Sequence, residues 1–276
     1  MKSYVHHNHL LSNYNMFKHS FLPYSSIRNR KWDNIKQKVW VYTSRIVNLC
    51  YILNERNDII MVDTGMPHCF PTIKKDFQKM FGTKKPLAIV LTHGHFDHVG
   101  SLAELLLEWN IPVFAHTKEL PYLTGKADYP KGQFRKKGMV ARLSRTFPNH
   151  GINIAPCVTS LPHDNSVPFL QDWIWLSTPG HTPGHISLYN ANDRILIAGD
   201  AFVTTQQESL FHVITQKFKV SGPPSYFTMD EKQARKSIET LSHLNVDYCV
   251  TGHGLITKSR GLLRKELNHL LLTYHE

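Results

Sequence analysis

The sequence predicts an α/β fold in which two β-sheets pack face to face and carry helices on their outer faces. Three short β-rich runs open the ordered part of the chain and are followed by alternating strand and helix patterns, an order typical of helix-covered sheets. A second series of strands, a helix and a final strand follows after about residue 157. This two-fold rhythm without a sequence repeat favours two similar layers within 276 residues.

The first series begins after residues 1–36, which are polar and predict an irregular lead-in. The runs "KVWVYTS", "VNLCYIL" and "DIIMVDTG" predict antiparallel strands, because each is rich in β-branched and aromatic residues between polar turns. In "PHCFPTIKKDFQKMFG", Ile73, Phe77 and Met80 have helical spacing, and Gly82 is a plausible stop. "PLAIVL" and "IPVFAH" predict buried strands on either side of the helix "HVGSLAELLLEWN".

Residues 37–276 predict a single domain, interrupted by a basic insertion at about 118–156. Four prolines break this segment, and Lys131 to Arg145 is its densest basic stretch. It could form a lid or a substrate wall, or be a solvated helix with no role. Arg135 or Arg142 could contact a carboxylate on a substrate.

The second series has four strand patterns, "CVTSL", "WIWLSTPG", "ISLYNAN" and "RILIAGD". The helix "SYFTMDEKQARKSIETLSHLN" follows, with Thr228 as the expected N-cap and Glu231 completing a capping box. "VDYCVTGHG" predicts a last strand and "GLLRKELNHLLLTYHE" a closing helix.

Composition narrows the function classes. The formal charge is +11, yet aromatic residues are not interleaved with the basic ones, so a nucleic-acid partner is not expected. No apolar run reaches 18 residues, and the N-terminus has no apolar h-region, so we expect no membrane span and a cytoplasmic location. The four cysteines are scattered without a C-x-x-C pair, which argues against a disulfide framework and a thiolate zinc site.

The stretch "VLTHGHFDHVG" places His93, His95, Asp97 and His98 directly after an apolar strand. Imidazole and carboxylate groups are costly to desolvate, and together they suit a borderline ion such as zinc. Four such groups within six positions are hard to explain as satisfied core residues. We therefore predict a metal site, with room for two ions.

Three later strand ends supply partners for this motif. "STPGHTPGH" offers His181 and His185, "ILIAGDA" offers Asp200, and "VTGHG" offers His253. A carboxylate in such a place can bridge two ions at ~3.5–4 Å, as in two-metal hydrolases.

The order of "VDTG", "THGHFDH", "TPGHTPGH", "AGD" and "TGHG" over about residues 38–257 resembles the metallo-β-lactamase superfamily. The resemblance implies a four-layer αβ/βα sandwich of two mixed β-sheets. It also implies two zinc or other divalent ions, the first bound by His93, His95 and His181, the second by Asp97, His98 and His253, with Asp200 as the bridge. His185 then lies behind the ligands, and Asp63 braces the ligand loop by hydrogen bonds.

The same resemblance implies a metal-dependent hydrolase that cleaves an ester, thioester or lactone of a small-molecule substrate through a metal-bridging hydroxide, with Asp97 orienting the hydroxide or passing on a proton. His98 and Asp200 stand where common zinc β-lactamases have Arg and Cys, which counts against antibiotic hydrolysis. Val203 replaces the Tyr of well-known lactonases. The alternatives are a mononuclear iron persulfide dioxygenase, a phosphodiesterase or RNA nuclease, and a non-catalytic binding module.

Overall fold

The computed structural model describes residues 25–133, 136, 138–259 and 261–274, which form two mixed β-sheets. The first sheet has the strand order β1-β2-β3-β4-β5-β6-β7, and the second has the order β13-β12-β11-β10-β9-β8. The strands of the first sheet are β1 (Lys31–Lys36), β2 (Val39–Ser44), β3 (Val47–Leu53), β4 (Ile59–Val62), β5 (Pro86–Val90), β6 (Val113–Ala115) and β7 (Val158–Ser160). Those of the second are β8 (Ser166–Val167), β9 (Leu170–Ser177), β10 (Ile186–Asn190), β11 (Ile195–Gly199), β12 (Tyr248–Thr251) and β13 (Thr257–Lys258).

Helices cover the outer faces of both sheets. The longer ones are α1 (Phe70–Phe81) and α3 (Leu102–Trp109) on the first sheet, and α7 (Glu231–Ser242) and α8 (Leu262–Thr273) on the second. The shorter ones are α2 (Phe96–Val99), α4 (Leu120–Leu123), α5 (Met139–Leu143) and α6 (Leu210–Thr215). The predicted α/β sandwich of two mixed sheets is confirmed.

Alternating side chains within the strands divide the core into three apolar layers. In β3, Leu49 and Tyr51 pack toward the helices of the first sheet, whereas Cys50 and Ile52 pack between the sheets. In β11, the residues alternate in the same way between the inter-sheet layer and the layer under α7 and α8. This period of two is the signature of strands that are buried on both faces.

Strand direction brings the predicted polar clusters to one edge. Strands β4, β5, β6 and β7 are mutually parallel. In the second sheet, β9 and β11 both run antiparallel to β10, and β12 runs parallel to β11. Three strands of this sheet therefore end on the same side, and their terminal loops can meet.

Two local predictions are wrong. Residues 31–36 form β1 and not part of an irregular lead-in, because they pair antiparallel with β2, with one irregularity between Asn34 and Lys36; residues 1–24 lie outside the described part of the chain. Asp230, not Thr228, is the N-cap of α7: its extended backbone lets the side chain accept from Gln233 N. Thr228 instead lies in a turn, where its hydroxyl donates to Pro224 O at 2.9 Å.

The insertion at 118–156 is partly helical, with α4, α5 and short 3₁₀ turns. Arg142 is exposed on α5, and Arg135 lies outside the described residues. Within the described residues, no helix is long and apolar enough to cross a membrane.

Candidate metal centre

All seven predicted ligand side chains meet at the edge of the sandwich where these strands end. The loop after β5 carries His93 and His95, and the short helix α2 carries Asp97 and His98. The second sheet supplies the other three from the ends of β9, β11 and β12: His181, Asp200 and His253. Within the described residues they form three overlapping groups, and within each group the candidate ligand atoms lie within 4.8 Å of one another. The groups are His93, His95 and His181; His93, His98 and Asp200; and Asp97, His98 and His253.

The first group consists of three buried imidazoles. His93 Nε2 lies 3.1 Å from His95 Nδ1, and His95 Nδ1 lies 2.9 Å from His181 Nε2. Three ring nitrogens therefore face a common point. Catalytic zinc sites use three protein ligands of this type and keep one position open.

The other two groups combine carboxylates and imidazoles. His253 Nε2 lies 3.2 Å from Asp97 Oδ2 and 3.4 Å from Asp200 Oδ2. The same Asp200 oxygen lies 3.7 Å from His98 Nε2 and 3.6 Å from His181 Nε2. Asp200 thus stands between His181 of the first group and the pair His98 and His253, and its carboxylate lies near ring nitrogens on both sides.

Two atoms of this cluster are orphaned. His98 Nε2 and Asp200 Oδ1 are buried and have no hydrogen-bond partner within the described part of the chain. Buried polar atoms of native proteins are almost always paired. A bound cation would satisfy both atoms, so the donor set fits a metal.

The loop after β12 needs a glycine to let these groups approach. A Cβ at Gly252 would stand 2.1 Å from Asp200 Oδ1 and 2.8 Å from His98 Cε1. Both neighbours are buried side chains without room to move. A larger residue at position 252 would therefore displace the candidate ligands themselves.

Asp63 braces the histidine loop, as the sequence suggested. Its carboxylate accepts from Thr92 N at 2.8 Å and from Thr92 Oγ1 at 2.7 Å, and lies 2.8 Å from His98 Nδ1. A carboxylate on the far ring nitrogen of a ligating histidine fixes its tautomer and orientation.

Three other candidate ligands also have a partner on their second ring nitrogen. Thr92 Oγ1 lies 3.1 Å from His93 Nδ1, Thr228 Oγ1 lies 3.4 Å from His181 Nδ1, and Ile46 O lies 3.1 Å from His253 Nδ1. The ring nitrogens that face the cluster are therefore left for a ligand. Thr228 was singled out in the sequence for a helix cap, and this contact is a role that the pattern did not indicate.

The pKa values of the histidines divide into two sets. Burial lowers the pKa of His95 to about 4 and that of His93 and His181 well below 6.5, with neighbouring imidazoles adding to the effect for the latter two. Burial also acts to lower the pKa of His253, but Asp200 and Asp97 outweigh it and raise the value to about 10.

The acidic side of the site shows the complementary shift. Burial acts to raise the pKa of Asp200, but His253 and His98 hold it well below 3.8. The pKa of His98 is raised well above 6.5, since the carboxylates of Asp63 and Asp200 outweigh burial. His98 and His253, which lie beside carboxylates, therefore carry protons that a bound cation could replace.

Glu119 is a site residue that sequence reasoning missed. It is fully buried, and each oxygen accepts two hydrogen bonds. Oε2 accepts from Gly94 N at 3.0 Å and from Tyr129 Oη, and Oε1 accepts from Thr182 Oγ1 at 2.7 Å and Gly184 N at 2.9 Å.

Three of these four donors belong to the segments that carry the first group, and the fourth, Tyr129, belongs to the insertion. Gly94 lies between His93 and His95, and Thr182 follows His181. The ring of Tyr129 packs on His95, with centroids 4.5 Å apart. Glu119 follows β6 at the start of the insertion, and a lone glutamate in "HTKEL" gives no sequence signal of this role.

His185 lies behind the ligand groups and belongs to none of the three. Its Nε2 accepts from Asp200 N at 2.9 Å, and its Nδ1 lies 2.9 Å from Thr178 Oγ1. Burial lowers the pKa of His185 to about 3, so the ring is neutral and can accept this bond. It therefore fixes the backbone of Asp200.

A small cavity of about 20 Å³ adjoins Asp97. Its walls are mostly apolar and include Phe96, Phe147 and Phe227, with Gln207 as the amide among them. A larger cavity of about 1090 Å³ lies at the opposite edge, where β4, β5 and β9 begin, and shares no lining residue with the candidate ligand groups. The small cavity is therefore the one that is relevant to chemistry at the metal centre.

The fold and the donor set define the class of αβ/βα sandwich proteins that hold metal ions at one edge of their paired sheets. A family model described as the metallo-beta-lactamase superfamily matches residues 44–253, and the chain belongs to this superfamily. The resemblance read from the motifs is confirmed.

Curated relatives point to hydrolysis. The chain is 44% identical over 239 residues to the "Probable metallo-hydrolase YflN" of Bacillus subtilis, covering 85% of this chain and 90% of that one. It is 30% identical over 170 residues to the "Probable metallo-hydrolase YybB" of the same organism, covering 62% and 68%. A hydrolase with a metal site is the class that these relatives support.

Solved structures share the fold. BJP-1, a subclass B3 metallo-beta-lactamase of Bradyrhizobium japonicum, superposes with a TM-score of 0.62 at 17% identity, covering 91% of this chain and 93% of that one. TTHA1623, solved in a di-iron-bound form, gives 0.54 at 23% identity, covering 77% and 89%.

Proposed function

We propose that the protein is a hydrolase that uses two divalent ions, with zinc as the expected metal, to cleave an ester, thioester or lactone of a small-molecule substrate. The first ion would be held by His93, His95 and His181, and the second by Asp97, His98 and His253. Asp200 would contact both ions.

The position of Asp200 is the observation that carries this proposal. One of its oxygens lies within 3.7 Å of nitrogens from both groups, and the other has no partner among the described residues. Its backbone is fixed by His185. A buried carboxylate held in this way is suited to hold two ions at the ~3.5–4 Å separation of two-metal hydrolases.

Such ions, when bound, supply Lewis-acid charge and lower the pKa of a bound water from 15.7 to ~7. The chain's own contribution is then to position water and substrate. Asp97 is the one carboxylate of the cluster that lines the small cavity, and its side chain is 14% exposed, against 2% for Asp200. We assign Asp97 to orient the attacking water and to take up its proton.

The walls of the cavity favour an uncharged carbonyl substrate over a phosphodiester. Among the described residues that line it, none is a Lys or an Arg. Phosphoryl-transfer sites commonly use Arg or Lys beside their metal ions to hold the transferred group. As far as the described residues show, the +11 charge of the chain is not collected at this cavity.

Metal identity separates this proposal from an iron dioxygenase. TTHA1623 was solved in a di-iron-bound form, so iron has to be considered beside zinc. Elemental mass spectrometry on protein purified without chelator or histidine tag would decide. About two divalent ions per chain support the hydrolase, whereas one iron per chain would overturn it in favour of the dioxygenase.

The variant Asp200→Asn tests the bridge directly. We expect it to retain fewer than two ions and to lose at least about 100-fold in ester hydrolysis, since the lost carboxylate charge faces both groups. Asp76→Asn is the matched control, because Asp76 is a buried carboxylate that pairs with Arg30 and Tyr42 away from the site. Full metal content and full rate in Asp200→Asn would overturn the proposal.

A further inference from the structure

Gln207 presents a buried donor without a partner. The side chain is 2% exposed, and Nε2 forms no hydrogen bond within the described part of the chain. Leaving such a group unpaired is destabilising, because its hydrogen bond to water is lost and not replaced. A buried donor of this kind needs an acceptor that the described residues do not supply, either a water molecule or an atom of a ligand.

Gln207 lines the same cavity as Asp97. Asp97 and Gln207 are the residues of its lining whose side chains carry a carboxylate or an amide, and most of the wall is aliphatic or aromatic. The volume of about 20 Å³ accommodates a group the size of one water molecule. One oxygen atom, accepting from Gln207, therefore fits both the size and the chemistry of the cavity.

The loop around Gln207 is fixed on both sides. Thr204 N donates to His253 O at 3.2 Å, which ties the preceding segment to the candidate ligand loop after β12. Glu208 Oε1 accepts from Ser225 N at 3.0 Å and Ser225 Oγ at 2.8 Å, next to the cavity residue Phe227. The chain on either side of Gln207 is therefore anchored before any ligand arrives.

We propose that Gln207 is a specificity-determining residue that donates a hydrogen bond from Nε2 to an oxygen atom of the substrate. The bound oxygen belongs to the acyl group close to the scissile carbonyl, because the cavity adjoins Asp97 of the metal centre. The substrate class is thus an uncharged ester, thioester or lactone with an ether, hydroxyl or keto oxygen near that carbonyl. This assignment rests on the proposed hydrolase function.

Two esters of equal size test the assignment. p-Nitrophenyl methoxyacetate carries an ether oxygen where p-nitrophenyl butyrate carries a methylene group. The quantity of interest is the ratio of kcat/KM for the two esters, compared between enzyme variants, so that the intrinsic reactivity of each ester cancels. Metal content and Tm are measured for every variant.

Gln207→Met removes the donor with little change in volume. We expect the methoxyacetate-to-butyrate ratio to fall about 10- to 100-fold relative to wild type, since a site built around a hydrogen bond penalises its loss strongly. Gln207→Leu should give the same fall and serves if the Met variant does not fold. Gln206→Met is the control, because the amide of Gln206 pairs with Lys219 Nζ at 2.9 Å; its ratio should stay within about twofold.

An unchanged ratio in the Gln207 variants would overturn the assignment and indicate that a structural water fills the cavity. An equal loss for both esters would also overturn it, because the donor would then serve the scissile carbonyl or the fold. If metal-loaded wild type cleaves neither ester, nor a panel of thioesters and lactones, the proposed function fails and the assignment fails with it.

Discussion

Replacing Glu119 by glutamine should weaken metal binding without changing a ligand. The carboxylate accepts four hydrogen bonds, two on each oxygen. Glutamine keeps one acceptor oxygen and places an NH₂ group against the other two donors. Two bonds to a charged acceptor are lost, at about 1.5–3 kcal/mol each, or about 3–6 kcal/mol in total.

Part of the stability that Glu119→Gln loses with these hydrogen bonds is offset by a lower cost of burial. Burial raises the pKa of Glu119, against the hydrogen bonds from Tyr129, Thr182 and the backbone that act to lower it. The neutral amide avoids that burial cost, so we expect a net loss near the lower bound, about 3 kcal/mol of unfolding free energy. Because the lost bonds hold the segments of His95 and His181, the affinity for zinc should fall about 10- to 100-fold, the usual effect of removing an outer partner.

Competition with a chromophoric chelator measures the zinc affinity, and urea unfolding of the metal-free protein measures the stability. Asp76→Asn provides the matched control, since it also removes a buried carboxylate with several hydrogen bonds. It should lower stability and leave zinc affinity unchanged. If Glu119→Gln loses stability and keeps its zinc affinity, Glu119 supports only the fold and our reasoning is refuted.

Three further predictions follow from the same contacts. Asp63→Asn should weaken metal binding about 10- to 100-fold, because the carboxylate on His98 Nδ1 is replaced; titration with a metal indicator checks this, and unchanged affinity would contradict it. Metal binding at pH 7.5 should release about two protons from His98 and His253, because the pKa of His98 is raised and that of His253 is about 10, and up to about one more from a bound water; calorimetry in buffers of different ionisation enthalpy counts them, and no release would contradict the shifts. The hydrogen bond from Arg30 lowers the pKa of Asp76, so this residue stabilises the fold above pH ~4 and the contribution is lost as pH falls through the lowered value. Asp76→Asn should flatten the acid limb of the stability–pH curve, and an unchanged limb would argue against the pair.

Much of the fold could be predicted from the sequence. Side chains alternate between two faces in its strands, and apolar residues recur on one side of its helices. "VNLCYIL" alternates between two apolar layers, and "LAELLLEW" places Leu102, Leu105 and Trp109 on its buried side. The start of β1 was missed because "KWDNIK" is polar and half exposed, and its place depends on pairing with β2.

The candidate ligands were also readable, because metal sites concentrate rare residue types at strand ends. The choice of His181 over His185 as a ligand came from family resemblance, and the structure leaves His185 outside the three groups. Glu119, Thr228 and Gln207 could not be found in this way. Each acts through contacts with residues that are not its neighbours in sequence, and single polar residues in loops carry no periodic pattern.

The division of the donors between the two sheets has a consequence for the integrity of the molecule. His95 and His181 are 86 positions apart in the chain and stand on different sheets, yet their ring nitrogens are 2.9 Å apart. Neither sheet offers a complete set of donors, so an ion would act as a clasp between two halves that otherwise meet through apolar packing. The rate at which a chelator strips the ion would then report how often the sheets part at this edge. Loss of metal would be an early sign of unfolding, before the apolar layer between the sheets opens.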